Sequence, residues 1–421
     1  MSQTYCTRLL QDKDFGIYIH NALDPTVTAL KSLLESDAVL NSLCQSMFAE
    51  SKELILARRT HPAYLAIDNI STLMRILDYA LTRAPEWEDT DSPNTLRGLP
   101  FNLALMVLME TPSGLRLFKQ ASVNKHLKRI LSRWASFLES PESLPVLNPQ
   151  TGWLSPSAVA KLEDVANGPT GAHRPFTEIF DCPDPSNPLT LGFISWDAFF
   201  SRTLRPGIRP VPPEDVLAAS SDAGAAILNA CESRPWQIER HVADTSEFML
   251  KGRSYSVRAM LDNDPLSEHF AKGTVYQAYL SALSYHRWHA PVSGVVRKIR
   301  LIDGCYFSQL PMSDVLSMEK SQNYLAAVAT RAVIFIEAAD PRVGLICFVA
   351  VGMGEVSSCR ACVKEGDTVQ AGDELGSFHY GGSTHCLLFA QGLDVRFEAG
   401  VEDQRQQYNI PVRSLLARCF R

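Results

Sequence analysis

Apolar residues return every three or four positions through the first third of the chain, and every second position or without a break through the last third. Leu30, Leu33, Leu34, Val39, Leu40, Leu43 and Met47 step along one helical face, with Pro25 near the helix start. Leu65, Ile70, Leu73, Ile76 and Leu77 repeat the pattern, as do Leu127, Ile130, Leu131, Trp134, Phe137 and Leu138 before Pro141 stops them. This periodicity predicts a helical region over about residues 20–140. Arg58, His61, Tyr64 and Asp68 are polar enough to line a cleft there, but nothing in their spacing fixes a role.

A stretch rich in Pro, Gly, Asn and Ser, 142–190, reads as a connection, with Asn148-Pro149 and Pro183-Asp184-Pro185-Ser186 as turn signals. A compact aromatic unit follows at 190–200. Arg202, Arg205 and Arg209 come next among prolines, a grouping that suits either an anion or a solvated loop. Beyond 215 the period shortens. Runs at 276–280, 295–299, 332–336 and 345–351 are rich in branched and aromatic residues and read as strands. Two pieces, 290–296 and 363–376, resemble each other and suit short strands folding into a flattened barrel of the kind that carries lipoyl or biotinyl groups. No lysine is displayed on a hairpin, so a carrier role is not expected. The expected fold is α+β: an N-terminal helical region plus a β-rich domain with barrel-like hairpins. The division expected is 1–145 helical, 146–190 connecting and 191–421 catalytic.

Composition narrows the function classes. The chain has 421 residues, 46% hydrophobic and 20% charged, an ordinary globular balance. A net charge of -6, with Lys and Arg scattered, argues against a nucleic-acid surface. Ten cysteines in a chain this long do not suggest a disulfide scaffold. Cys359 and Cys362 have metal-site spacing without a second ligand pair, so no metal is expected. Neither an apolar signal core nor a run of about 20 apolar residues is present, which predicts a cytoplasmic chain without an integral membrane segment.

The chemistry concentrates late. Gly376-Ser377-Phe378-His379-Tyr380-Gly381-Gly382-Ser383-Thr384 places a serine directly after two glycines. A serine hydroxyl can add to the carbonyl before it, and Gly382 obstructs that addition least; the same residues also suit a tight turn. In Tyr285-His286-Arg287-Trp288-His289, the two histidines would face opposite sides of a strand or converge on a turn. Structural, acid–base and metal roles all fit that spacing. Asp222 supplies a carboxylate that either orients His289, in the manner of a Ser/His/Asp set, or serves only as an acidic turn residue.

Phe199-Phe200-Ser201-Arg202-Thr203-Leu204-Arg205-Pro206, Asp222, Tyr285-His286-Arg287-Trp288-His289 and Gly382-Ser383-Thr384 occur in the order found in phosphatidylserine decarboxylases, which the chain resembles over about 190–421. Segments 321–331, 349–358 and 378–387 look like the fungal soluble branch of that family, which includes the tryptophan decarboxylase of the psilocybin pathway and carries an N-terminal helical extension. The resemblance implies self-cleavage between Gly382 and Ser383, leaving chains 1–382 and 383–421 and a pyruvoyl group made from Ser383. It implies His289 as the base toward Ser383, Asp222 as its orienter, and His286 as the group returning a proton after carbon dioxide leaves. It also implies a small amino-acid substrate, aromatic and tryptophan-like, in a pocket that Trp288, Phe378 and Tyr380 could wall. A phosphatidylserine substrate is the alternative, and a non-catalytic binding protein a further one. The chain has Gly381-Gly382-Ser383-Thr384 where the family has Leu-Gly-Ser-Thr, and Ser221-Asp222-Ala223 where it has Ala-Asp-Gly. Both departures alter the walls around the reacting groups and leave those groups in place.

Overall fold

A computed structural model describes residues 22–58, 67–89, 99–168, 170–217, 224–244, 256–310, 321–355, 358–379, 383–403 and 408–421. Six helices carry the N-terminal periodicity: α1 (Pro25–Ser36), α2 (Ala38–Arg58), α3 (Ile70–Ala80), α4 (Pro100–Met109), α5 (Pro112–Phe118) and α6 (Ala121–Leu138). Asp24 caps α1 through Thr26 N, with Pro25 in the first turn as expected. The first apolar stripe is split between two helices. Asp37 leaves the helical conformation and its carboxylate accepts from Val39 N and Leu40 N, restarting the chain as α2. That break turns Val39 outward, 68% exposed, while Leu30, Leu34, Leu40, Leu43 and Met47 stay in the core.

The 142–190 stretch holds more than turns. It contains α7 (Pro156–Asn167) and the short α8 (Phe176–Ile179). Trp153 is fully buried against Trp87, Trp196 and Phe199. Ser155 starts α7 by accepting from Ala158 N, so a helix opens inside the stretch expected to be only a connection. The aromatic unit becomes α9 (Trp196–Phe200), capped by Ser195. Three single-turn or two-turn helices follow: α10 (Glu214–Leu217), α11 (Val257–Met260) and α12 (Gln322–Val328).

Among the described residues, thirteen strands form three sheets. The large one has seven strands in the order β2 (Arg234–Arg240), β3 (Thr274–Leu280), β11 (Ser383–Phe389), β7 (Leu345–Gly352), β6 (Arg331–Ala338), β5 (Gly294–Ile302) and β9 (Thr368–Val369). Its described strands pair antiparallel throughout. Alternate residues face two cores. Tyr276, Ala278, Ile334, Phe348, Ala350 and Leu387 lie on one side, and Val275, Val333, Phe335, Val349, Cys386 and Leu388 on the other. Burial on both faces explains why these strands read as unbroken apolar runs.

The expected barrel does not form. The seven-stranded sheet ends at β2 on one side and β9 on the other, and among the described residues no sheet closes. β2 carries Pro235, which donates no ladder hydrogen bond, and a bulge lies between Pro235 and Gln237. β9 meets β5 only at Gly294↔Val369 and Val295↔Thr368, too short a contact to bring the edges together. The two look-alike pieces meet at that short β5–β9 contact, and the end of the second runs on into another sheet. β4 (Arg287–His289), β10 (Glu374–His379) and β8 (Ser358–Ala361) form a separate sheet, ordered β4-β10-β8. β1 (Ala225–Leu228), β13 (Leu415–Phe420) and β12 (Asp394–Phe397) form the third.

Two of the three clustered arginines are structural. Arg202 is buried over the faces of Phe180, Phe199 and Phe176 and donates to the carbonyls of Phe199 and Leu283; burial pulls its guanidinium down to about 10. Arg209 pairs with the buried Glu232, which also accepts from Val412 N at 2.8 Å. This pair anchors the segment leading to Arg413. Arg209→Met should strand the Glu232 charge and cost about 3–5 kcal/mol, read as a lower denaturant midpoint. An unchanged midpoint would show that water already compensates Glu232.

Candidate active site

Ser383 is the first residue of β11, the third strand of the large sheet, paired with Leu280 of β3 and Gly352 of β7. It is fully buried, and its hydroxyl has no hydrogen-bond partner among the described residues. Regular pairing along β11 puts Ser383, His385 and Leu387 on one face. That face meets the core containing Trp288, Phe348 and Phe378. β10, which precedes it, belongs to the other sheet, so residues 380–382 connect strands that do not pair with each other. Tyr380, Gly382 and Asp222 lie outside the described residues.

β10 threads between β4 and β8 at Gly376, where a Cβ would stand 2.2 Å from the Arg360 carbonyl and 2.8 Å from the Trp288 ring. Only glycine fits that crossing. Trp288 then packs 5.4 Å from Phe378 and 5.5 Å from Phe348, and Phe348 lies 5.8 Å from His385. Trp288 and Phe378 are thus fully buried walls beside the face that carries Ser383. The Trp288 indole nitrogen, the Tyr276 hydroxyl and both His385 nitrogens share the lack of a partner among the described residues. Unpartnered buried polar atoms are rare in folded proteins, and their concentration here marks a site rather than a core.

The two sequence-predicted histidines sit in different surroundings. His289 ends β4. Its Nδ1 lies 2.9 Å from the Gly372 carbonyl and 3.3 Å from Arg413 Nε, while Arg413 Nε itself donates to that carbonyl at 2.9 Å. Two donors sharing one carbonyl place the proton on Nδ1. Nε2 is left with a lone pair, which accepts from the Tyr285 hydroxyl at 3.2 Å. Burial, then the Arg413 charge, pushes the imidazole down to about 3, so His289 is neutral at physiological pH. No hydrogen bond joins it to Ser383.

His286 precedes β4, is fully buried and stacks on Phe200 with ring centres 4.0 Å apart. Neither ring nitrogen has a partner of hydrogen-bonding geometry among the described residues, though the Ser284 and Ser281 carbonyls lie near enough to favour its charge slightly. Burial dominates and, with Arg202 and His379 nearby, holds it well below its ordinary value.

Residues absent from the sequence-level set complete the site. His379, the last residue of β10, has Nδ1 2.7 Å from Asp197 Oδ1 and Nε2 3.1 Å from Ser377 Oγ. Asp197 and Phe200 lie three apart on α9, so one helical face meets both His379 and His286. The signal was available: Ser377 and His379 alternate on a strand leading to Ser383, and His385 alternates beyond it. Burial also pushes His385 down to about 3. Among the described residues, no group of three His, Cys, Asp or Glu could hold a metal ion, and no helix is long and apolar enough to cross a membrane.

Comparison with known proteins adds identity to this geometry. A phosphatidylserine decarboxylase family model matches residues 196–409, and a second phosphatidylserine decarboxylase model matches 24–162. A decarboxylase of Amanita muscaria, iboD, is 38% identical over 336 residues, covering 76% of this chain and 91% of that protein. An L-tryptophan decarboxylase of Psilocybe cubensis is 32% identical over 377 residues, covering 86% and 79%. A phosphatidylserine decarboxylase proenzyme of Chlamydia muridarum is 29% identical over 243 residues, covering 54% and 75%.

Proposed function

Because the chain belongs to the phosphatidylserine decarboxylase family, we propose that it is a self-processed decarboxylase of a small aromatic amino acid, with Ser383 as the residue that is converted. The observation that carries this reading is the Ser383 hydroxyl, buried with no partner among the described residues, directly after two glycines in sequence and against an aromatic wall. Such a group fits a pyruvoyl precursor, since no described residue competes for its oxygen.

Processing needs only the chain itself. The Ser383 oxygen adds to the Gly382 carbonyl, and the acyl group moves from nitrogen to oxygen to give an ester. Elimination leaves Gly382 as a carboxylate and residue 383 as dehydroalanine, which water converts to a pyruvoyl group and ammonia. The lone pair on His289 Nε2 is the base for the Ser383 proton, reached by exchanging or passing through the Tyr285 hydroxyl. Asp222 is assigned to orient that base, alongside the Gly372 carbonyl that already holds Nδ1.

A pyruvoyl group supplies the electron sink for loss of carbon dioxide, the part played elsewhere by pyridoxal phosphate. His286 holds a proton on one unengaged ring nitrogen for return to the product carbon, with Phe200 fixing the ring plane. Trp288 and Phe378, with Tyr380, form the apolar wall for the substrate side chain. The proposed division of labour is a helical domain over 1–145, a connection over 146–190 and a catalytic domain over 191–421.

The test combines intact mass with carbon dioxide release. The purified protein should appear as chains 1–382 and 383–421, release carbon dioxide from tryptophan, phenylalanine or tyrosine, and leave phosphatidylserine liposomes unchanged. A His286→Ala chain should mature yet turn over at least about 100-fold more slowly. Phosphatidylethanolamine production without amino-acid turnover would overturn the substrate class, and an uncut, fully active chain would overturn the chemistry.

A further inference from the structure

Along the face of β11 that carries Ser383, the next side chain is His385, two residues and about 7 Å further on. It is fully buried, and neither ring nitrogen has a hydrogen-bond partner among the described residues. A neutral imidazole has one N–H to give and one lone pair to fill in either tautomer, so both needs stand open here. Leaving such atoms dry costs about 1–3 kcal/mol each, which favours a guest over simple packing.

The sheet makes room beside this histidine. His385 lies between Ala278 of β3 and Ala350 of β7, with Ala332 of β6 beyond, while Ser383 lies between Leu280 and Gly352. One step further along the same face the side chains are Tyr276, Leu387, Phe348 and Ile334. The floor is therefore low around His385 and on the β7 side of Ser383, and it rises beyond them. Tyr276 meets the imidazole edge-on and Phe348 lies at a tilt, each with its ring centre 5.8 Å away. Phe348 packs in turn on Trp288, and Trp288 on Phe378. A continuous line of ring contacts thus joins His385 to the wall proposed for the substrate side chain. None of these strand positions carries a charge, and burial keeps the imidazole neutral, down to about 3.

An amino-acid α-carbon presents three groups to be held: the amine, the side chain and the carboxylate. On the proposed reading of the chain as an amino-acid decarboxylase, the first belongs to the group made from Ser383 and the second to Trp288 and Phe378. Resting on that reading, we propose that His385 holds the third, donating a ring N–H to the substrate carboxylate. The carboxylate is charged and the carbon dioxide that leaves is not. A neutral donor among apolar walls orients the departing group without the added stabilisation that a lysine or arginine would give the charged ground state.

Calorimetry on the mature protein with 3-phenylpropionate, which keeps the carboxylate and lacks the amine, reads this contact without turnover. His385→Phe should weaken that binding about 10–100-fold, while phenethylamine, which lacks the carboxylate, binds within about threefold of the unaltered protein. His385→Gln and His385→Asn restore an N–H at different reach, and at least one should recover the 3-phenylpropionate affinity to within about fivefold. The kcat/KM for phenylalanine should follow the 3-phenylpropionate affinity across the three variants. Unchanged 3-phenylpropionate binding in His385→Phe overturns the assignment. An equal loss for both probes, or a loss in all three variants, also overturns it and makes His385 a packing residue. Where a variant stays uncut, the ring-nitrogen resonances of His385 in the unaltered protein decide: 3-phenylpropionate should move them, and unmoved signals overturn the contact. Aromatic turnover that is indifferent to His385 defeats this inference alone. Absence of aromatic turnover and of binding of either probe by the unaltered protein defeats the underlying reading with it.

Discussion

Ser383→Ala yields one uncut chain of 421 residues with no detectable amino-acid decarboxylation, at least about 10⁴-fold below the unaltered protein. The hydroxyl it removes is buried and hydrogen-bonded to nothing among the described residues, so its loss costs the fold little. The melting temperature should stay within a few degrees, which separates a chemical defect from misfolding. Ser383→Cys restores a nucleophile and should recover slow, partial cleavage. Intact-mass measurement on all three chains decides the matter. Cleavage in the alanine variant would move the reacting group away from Ser383 altogether.

Thermal stability should fall steeply on the acid side of about pH 6.5 and gently on the alkaline side. His289 and His385 are held down to about 3, and His286 well below its ordinary value, each chiefly by burial. A histidine unfolded at about 6.5 binds a proton that its folded form refuses, so the unfolded state gains protons as pH falls through 6.5. Lowered folded values therefore mean stability that is present above 6.5 and lost below it. From pH 6.5 to 5.0 His289 and His385 each contribute about 1.6 kcal/mol of loss, about 3 kcal/mol together, and His286 acts in the same direction. Glu355 acts in the opposite sense. Its raised value near 8 makes the folded state the proton holder, so stability declines as pH rises from 4.5 towards 8, by about 2 kcal/mol between 6.5 and 8. Melting curves between pH 4.5 and 8.5 should show this asymmetry, and His385→Phe should make the acid slope shallower. A melting temperature that stays level from pH 6.5 to 5 would mean these imidazoles reach water in the folded protein.

The helical N-terminus was legible because a 3.6-residue apolar period records burial of one face directly. Where the sequence misled, a local capping choice had overridden the stripe, as at Asp37, or a helix capped by Ser155 lay inside the stretch read as a connection. The barrel failed for a different reason. Alternation predicts strands and their faces, but closure depends on what the two edge strands meet, and Pro235 and the two-residue β9 end the sheet instead. Cys359 and Cys362 remain free thiols, with Cys359 directed to the Ala350 carbonyl.

By itself the sequence determined the candidate serine after its two glycines, the two candidate histidines and the family kinship, because each of these is carried by a short local motif. Only the tertiary structure decided which groups share an environment. It separated His286 from His289, gave His289 to Gly372 and Tyr285, joined Asp197 to His379 across 182 positions, and brought Phe101 N to Glu355 just beyond the strand that pairs with Ser383. Contacts of that kind depend on helix α9 and helix α4 packing against strands far along the chain. A hydrogen bond reports where two atoms meet, and no local pattern of residue types carries that distance.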